Sequence, residues 1–291
     1  MLFFLHLLNK RIHKLTYLFC GLVISFMLPS YAHENPKCLN YYKNYQYGKA
    51  LACFKESSTS GDPVVQRKLG YMYLNGLAVK KNSSKAMEWF VKSSKQGNAE
   101  APFDIGVMYQ NGKGVKQDYR KAKEWYLIAT QRGHAEAGTN IGYLYEKGLG
   151  VAQDCSQARE WYEKAMAQGD VSAMINLGNL FYKGCDGEQD RVLAFMLYKK
   201  AAELGDAYAQ FNLAELYRTG RVTSENSGKA LYWYRKSADQ GTVKAMRKLA
   251  TIHDRGWLGQ PVNKPLAREW ERKADAAEAR QRREETESGP V

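Results

Sequence analysis

The residues of this 291-residue chain that could do chemistry are few and far apart. Only His33, His134 and His253 lie beyond the first 32 residues, and no two have the H-E-x-x-H spacing that puts a ligand pair on one helix face. No serine stands in a G-x-S-x-G elbow or an S-x-x-K pair, and K-T-G is absent. Asp186, Glu188 and Asp190 alternate as the opening of a calcium loop does. Arg191 takes the place of its sharp-turn glycine, however, and Leu197 that of its closing glutamate. A solvated loop in which Asp190 caps a helix is the simpler reading. This inventory assigns no catalytic residue, no metal and no cofactor.

The first segment reads as an address. Lys10, Arg11 and Lys14 precede an apolar run from Leu15 to Leu28, and small residues Ser30 and Ala32 fit a signal-cleavage site. The fourteen-residue run is short of the ~20 that a spanning helix needs, which favours cleavage after Ala32 over an uncleaved anchor. Bulky Phe19 before Cys20 argues against a lipoprotein signal. Loss of the leader takes the net charge from +13 to +10. The basic residues are spread over the whole chain, and Arg280 to Arg283 are offset by Glu284, Glu285 and Glu287. Nucleic acid is not an expected partner; attraction to anionic envelope surfaces is a secondary effect.

With 44% hydrophobic and 25% charged residues the chain is too apolar for disorder. Its organisation is a repeat of 36 residues. Gly70, Gly106, Gly142 and Gly178, then Ala214 and Ala250, form one column. Gly76, Gly112, Gly148, Gly184, Gly220 and Gly256 form another. Trp89, Trp125, Trp161, Leu197, Trp233 and, after a one-residue insertion, Trp270 form a third. Within a copy, Ala101, Ile105, Met108 and Tyr109 share a helix face, Gly112 can end that helix, and Asp118 can cap the next, whose stripe is Ala122, Trp125, Tyr126 and Ala129. The cap column is Asn82, Asp118, Asp154, Asp190, Asn226 and Asn263. Each copy is therefore a helical hairpin that buries its faces only by stacking on neighbours. Gly106 and Ala122 mark a close crossing, with a hole for Tyr109 or Trp125 of an adjacent element; the Trp/Tyr stripe reads as core.

These spacings predict an all-α solenoid of helical hairpins with the following organisation: signal peptide 1–32, capping hairpin 33–62, repeats 63–98, 99–134, 135–170, 171–206, 207–242 and 243–279, and a charged tail 280–291. The pattern Leu/Ile-Gly-x-x-Tyr-x-x-Gly-x-Gly-Val-x-x-Asp-x-x-x-Ala-x-x-Trp-Tyr, clearest from Ile105 to Tyr126 and from Ile141 to Tyr162, resembles the Sel-one-like repeat, a cousin of the tetratricopeptide repeat. The resemblance implies a right-handed α-solenoid that binds other proteins, often of the bacterial envelope or outside the cell, without implying a shared ligand. Some secreted relatives are described as β-lactam-binding or hydrolysing, which leaves a periplasmic enzyme as an alternative, although the serine apparatus is missing here. A cell-wall-associated structural or signalling component is a further alternative.

Four cysteines, Cys38, Cys53, Cys155 and Cys185, follow the leader and allow three pairings. Cys38 and Cys53 flank the turn of the first hairpin, and Cys155 and Cys185 lie near the interhelix loops of consecutive repeats, which favours 38–53 and 155–185. Free buried thiols are the alternative. On a tetratricopeptide-like scheme the first helix of each hairpin lines the groove. That places Arg67, Phe103, Thr139, Ile175, Phe211 and Arg247 there, and Tyr71, Val107, Tyr143, Asn179, Glu215 and Thr251 one turn on. The expected role is an exported, periplasmic or secreted, monomeric adaptor that binds another protein or peptide in this groove, with an envelope component as a further partner.

Overall fold

A computed structural model describes residues 36–58, 61–185, 187, 189–222 and 224–287. The expected leader, His33, Asp186 and Glu188 lie outside them. Among the described residues there are fourteen helices and no strand. Helices α1 (Pro36–Lys43) and α2 (Tyr47–Ser57) make the first hairpin. Six further pairs follow: α3 (Pro63–Asn75) with α4 (Ser83–Lys95), α5 (Glu100–Asn111) with α6 (Tyr119–Gln131), and α7 (Ala135–Lys147) with α8 (Cys155–Ala167). Then come α9 (Val171–Lys183) with α10 (Arg191–Glu203), α11 (Ala207–Thr219) with α12 (Ser227–Asp239), and α13 (Val243–Arg255) with α14 (Lys264–Glu287). Every second helix packs on its own partner and on the first helix of the next pair, which winds the chain into a right-handed α-solenoid. The last helix continues through residue 280 to Glu287, so the charged tail begins as helix.

The loops are set by a few backbone partners. Asn82, Asp118, Asp154, Asp190, Asn226 and Asn263 each accept an N–H three residues on, at 2.8 to 3.0 Å. Each also donates its own N–H to a carbonyl near the end of the first helix, at 2.7 to 3.0 Å, which ties the two helices together. Gly112 takes φ 68° and closes α5 on the Met108 carbonyl, a conformation that suits a residue without Cβ.

The close crossing is real, but its occupant is different from the one expected. A Cβ on Gly142 would stand 2.6 Å from the Tyr162 ring, and one on Gly178 2.9 Å from Tyr198. Gly70 faces Phe90, and Gly106 faces Tyr126, in the same way. The hole is filled from within the hairpin by the residue after the tryptophan position, and not by Tyr109 or Trp125. One step along an α-helix turns a side chain by about 100°. Phe90, Tyr126, Tyr162 and Tyr234 are therefore fully buried, while Trp89, Trp125, Trp161, Trp233 and Trp270 sit half-buried at the margin. Lys92, Lys164 and Lys273 lie over Trp89, Trp161 and Trp270 at 4.5 to 5.0 Å. The aromatic stripe is core in one column and margin in the other.

Cys38 and Cys53 have Cα atoms 5.4 Å apart, and Cys155 and Cys185 5.8 Å, both within the ~4.4–6.8 Å a disulfide spans. The first bridge joins α1 to α2. The second joins the start of α8 to the loop after α9.

The side chain just before each first helix caps it in four of the six repeats and fails to do so at His134 and Thr242. Asp62, Asn98, Asp170 and Asp206 accept N–H groups of the following turn at 2.7 to 3.3 Å. At the same step stands His134, whose side chain makes no cap bond. Its ring stacks on Phe103 at 4.3 Å, and its Nδ1 is buried with no partner among the described residues. Burial holds its pKa below the usual value; Arg67 adds to this, against the opposing pull of Asp104 and Asp170.

Two outcomes follow from this packing. Tyr162→Ala should cost about 3–5 kcal/mol in urea unfolding, and Trp161→Ala roughly half of that because its indole is half-exposed. A tryptophan variant weaker than the tyrosine variant would reverse the assignment of core and margin. For His134 the sign is set by the lowered folded-state pKa: the unfolded chain takes the proton first. Stability is then intact above about pH 6.5 and declines below it until the folded-state pKa is reached. His134→Asn, the residue used at 98, should flatten that decline between about pH 7 and 5. An unchanged slope would assign it to other groups, such as the buried His253.

Candidate functional site

The six first helices, the layer expected to line the groove (the inner layer), touch across repeats through their side chains. Arg67 on α3 donates Nη2 to Asp104 Oδ1 on α5 at 3.2 Å, binds its Oδ2 through Nε and pairs with Glu100. Burial raises the Asp104 pKa despite that guanidinium. Thr139 on α7 donates to Asp170 at the start of α9. Lys248 on α13 lies 3.1 Å from Glu215 on α11.

Running along this layer is a row of phenol hydroxyls. Where the hole-filling position is a tyrosine, its oxygen turns to the first helices, and an acceptor meets each of the four. Tyr126 donates to Gln110 at 3.0 Å, Tyr162 to Glu146 at 2.8 Å, Tyr198 to Asn179 at 2.7 Å and Tyr234 to Glu215 at 2.5 Å. Burial, above all, raises the pKa of all four, so they stay hydroxyls and donors. Burial would raise Glu215 too, but bonds from Arg218, Tyr234 and Lys248 hold it below its usual value.

The expected groove residues differ in exposure and in what holds them. Tyr143 is open, 39% exposed. Tyr71, Phe103 and Phe211 are half-buried and lean on the hole-filling aromatics Phe90, Tyr126 and Tyr234 at 5.7 to 5.9 Å. They carry structure as well as surface. Val107 packs partly against the core of the neighbouring hairpins, and Asn179, Glu215 and Thr251 are half-buried. Thr139 and Ile175 are buried, at 4% and 7% exposure, and are corrected from groove surface to core. The next hairpin covers Ile175, and Thr139 turns its hydroxyl to Asp170. Arg67 is held by its two acids. Arg247 is held by Glu271, Asp275 and Glu278 of α14 at 2.7 to 3.0 Å.

The sequence reading missed Gln110 and Glu146, whose roles depend on the tyrosine oxygens. It also missed Tyr208, 45% exposed at the start of α11. Asn140, Asn176 and Asn212 form a half-buried column at the repeat spacing, legible in hindsight because copies one, two and six place Lys68, Asp104 and Lys248 there. The Asn212 amide nitrogen has no partner among the described residues. Among those residues no cluster of His, Cys, Asp and Glu is arranged to hold a metal, and no helix is long and apolar enough to cross a membrane.

Six consecutive stretches, 63–98, 99–134, 135–170, 171–206, 207–242 and 243–274, match the family model of the Sel1 repeat. A Sel1 repeat protein from Oxalobacter formigenes is 33% identical, with 83% of this chain and 99% of that one covered and a TM-score of 0.78. A protective antigen of uropathogenic Escherichia coli displaying an SLR fold is also 33% identical, with a TM-score of 0.65. That alignment covers 79% of this chain but only 49% of the antigen. An immunity protein from Pseudomonas aeruginosa, 20% identical with 74% and 82% covered and a TM-score of 0.52, shares the fold. A search of curated proteins yields no match. With the repeat model matching most of its length, the chain belongs to the Sel1 repeat family.

Proposed function

We propose that this protein is an exported adaptor that holds a segment of another protein along the inner layer of its solenoid, without catalysis. Sel1 repeat proteins generally mediate protein–protein interaction. The observation that carries the reading here is the pair Tyr143 and Tyr208, open aromatic side chains on the inner layer where the repeat has no use for them. Exposed tyrosines supply large contact area with little entropy to lose. On the same helices, half-buried Asn140 and Asn176 carry amides that both donate and accept, which suits main-chain groups of a bound segment. The apolar leader supports export, as do two cysteine pairs at bridging distance, since disulfides persist in oxidising compartments.

The test uses the full chain in its native host, with a photo-crosslinking residue at Tyr143 or Tyr208, followed by binding of the captured protein to purified variants. Tyr143→Ala combined with Tyr208→Ala should weaken binding roughly 10- to 100-fold and leave the melting temperature nearly unchanged. Phe103→Ala should destabilise the fold as well, because its ring lies between His134 and Tyr126. Binding that survives the double tyrosine change would move the interface off the inner layer.

A further inference from the structure

The net charge that looks evenly spread along the chain is not evenly spread over the surface. Residues 80–87 and 113–123 hold eight cations and one acid, Asp118, whose carboxylate is engaged in capping α6. The equivalent stretch of the next copy, 149–159, has one cation and one acid. These segments lie on one edge, because the loops of neighbouring hairpins stack. Gly114 packs directly on Ser83, and a Cβ on Gly150 would stand 2.7 Å from Tyr119. Lys80, Lys81, Lys85, Lys116, Arg120 and Lys121 are exposed there, and none forms an ion pair among the described residues. Two of them are held on rings one repeat apart, Lys85 over Tyr73 at 5.5 Å and Lys121 over Tyr109 at 5.4 Å. A shallow depression between Lys116, Arg120, Lys121, Tyr109 and Gly150 adjoins them.

We infer that this loop edge of the first two repeats is a second interaction surface, distinct from the inner layer, and that its occupant is an acidic peptide segment rich in Asp and Glu. Charge complementarity points to an anion. Among the described residues no large apolar side chain is exposed between 80 and 123, so the surface offers no anchor for insertion into a bilayer. Seven of the eight cations are lysines. Phosphate and sulfate groups are best held by the bidentate fork of arginine, whereas ammonium point charges suit separate carboxylates. Hairpin spacing of about 8–10 Å and a rise of ~3.3 Å per extended residue let roughly six residues span both copies.

Fluorescence anisotropy with labelled deca-glutamate tests this on the full chain. Lys116→Glu with Arg120→Glu and Lys121→Glu should weaken binding at least tenfold. The same charge change at exposed Lys229, Arg235 and Lys236 on α12 should alter it less than twofold. Tyr143→Ala should leave it unchanged, which separates this surface from the inner layer. Absent binding of deca-glutamate, or equal losses in the two triple variants, would overturn the proposal. So would tenfold tighter binding of a heparin oligosaccharide or of phosphatidylglycerol vesicles. Circular dichroism melts of both triple variants confirm that they are folded.

Discussion

The structure rests on one contact: an aromatic ring laid against a helix position that has no Cβ. Gly70, Gly106, Gly142 and Gly178 let the two helices of a hairpin approach until Phe90, Tyr126, Tyr162 and Tyr198 fill the space between them. Interiors are packed as densely as organic crystals, so ring and glycine are specified together. A buried phenol also needs a partner for its hydroxyl. The ring enters from the second helix and its oxygen emerges on the inner face. The polarity of that face, with Gln110, Glu146, Asn179 and Glu215 in a row, is therefore a consequence of how the hairpin is packed.

Much of the fold was legible in the sequence because the features that build it are local. A cap and the N–H it accepts are three residues apart, and the glycine that ends a helix marks its own position. Repetition every 36 residues then shows each signal several times. What was misread involves side-chain direction. Tryptophan and tyrosine stand next to each other in the stripe, and a count of apolar spacing does not say which points inward. Thr139 and Ile175 fit the groove pattern by position, but their burial depends on how closely the next hairpin stacks, which no single copy encodes. The inner-layer acceptors depend on oxygens contributed by another helix.

Charge was the least legible property. Counted in chain order, each copy carries lysines and arginines. In space, the eight of residues 80–87 and 113–123 share one edge, while others are spent on acids: Arg67 on Asp104 and Glu100, Arg218 and Lys248 on Glu215. A net charge thus says little about a repeat protein until its cations are sorted into those with acids beside them and those without.

Arg247 stands in the same column as Arg67, five copies later, yet it faces a different neighbour. At the position after the tryptophan column, where every earlier copy has an aromatic ring, the last has the half-exposed Glu271, and Asp275 and Glu278 join it around the guanidinium. Arg247 and its three acids stay open to water, with 43% of the arginine side chain exposed against 15% for Arg67, which the next hairpin covers. One arginine column thus serves as a covered clamp between copies at one end of the array and as a hydrated charge cluster, open to screening by salt, at the other.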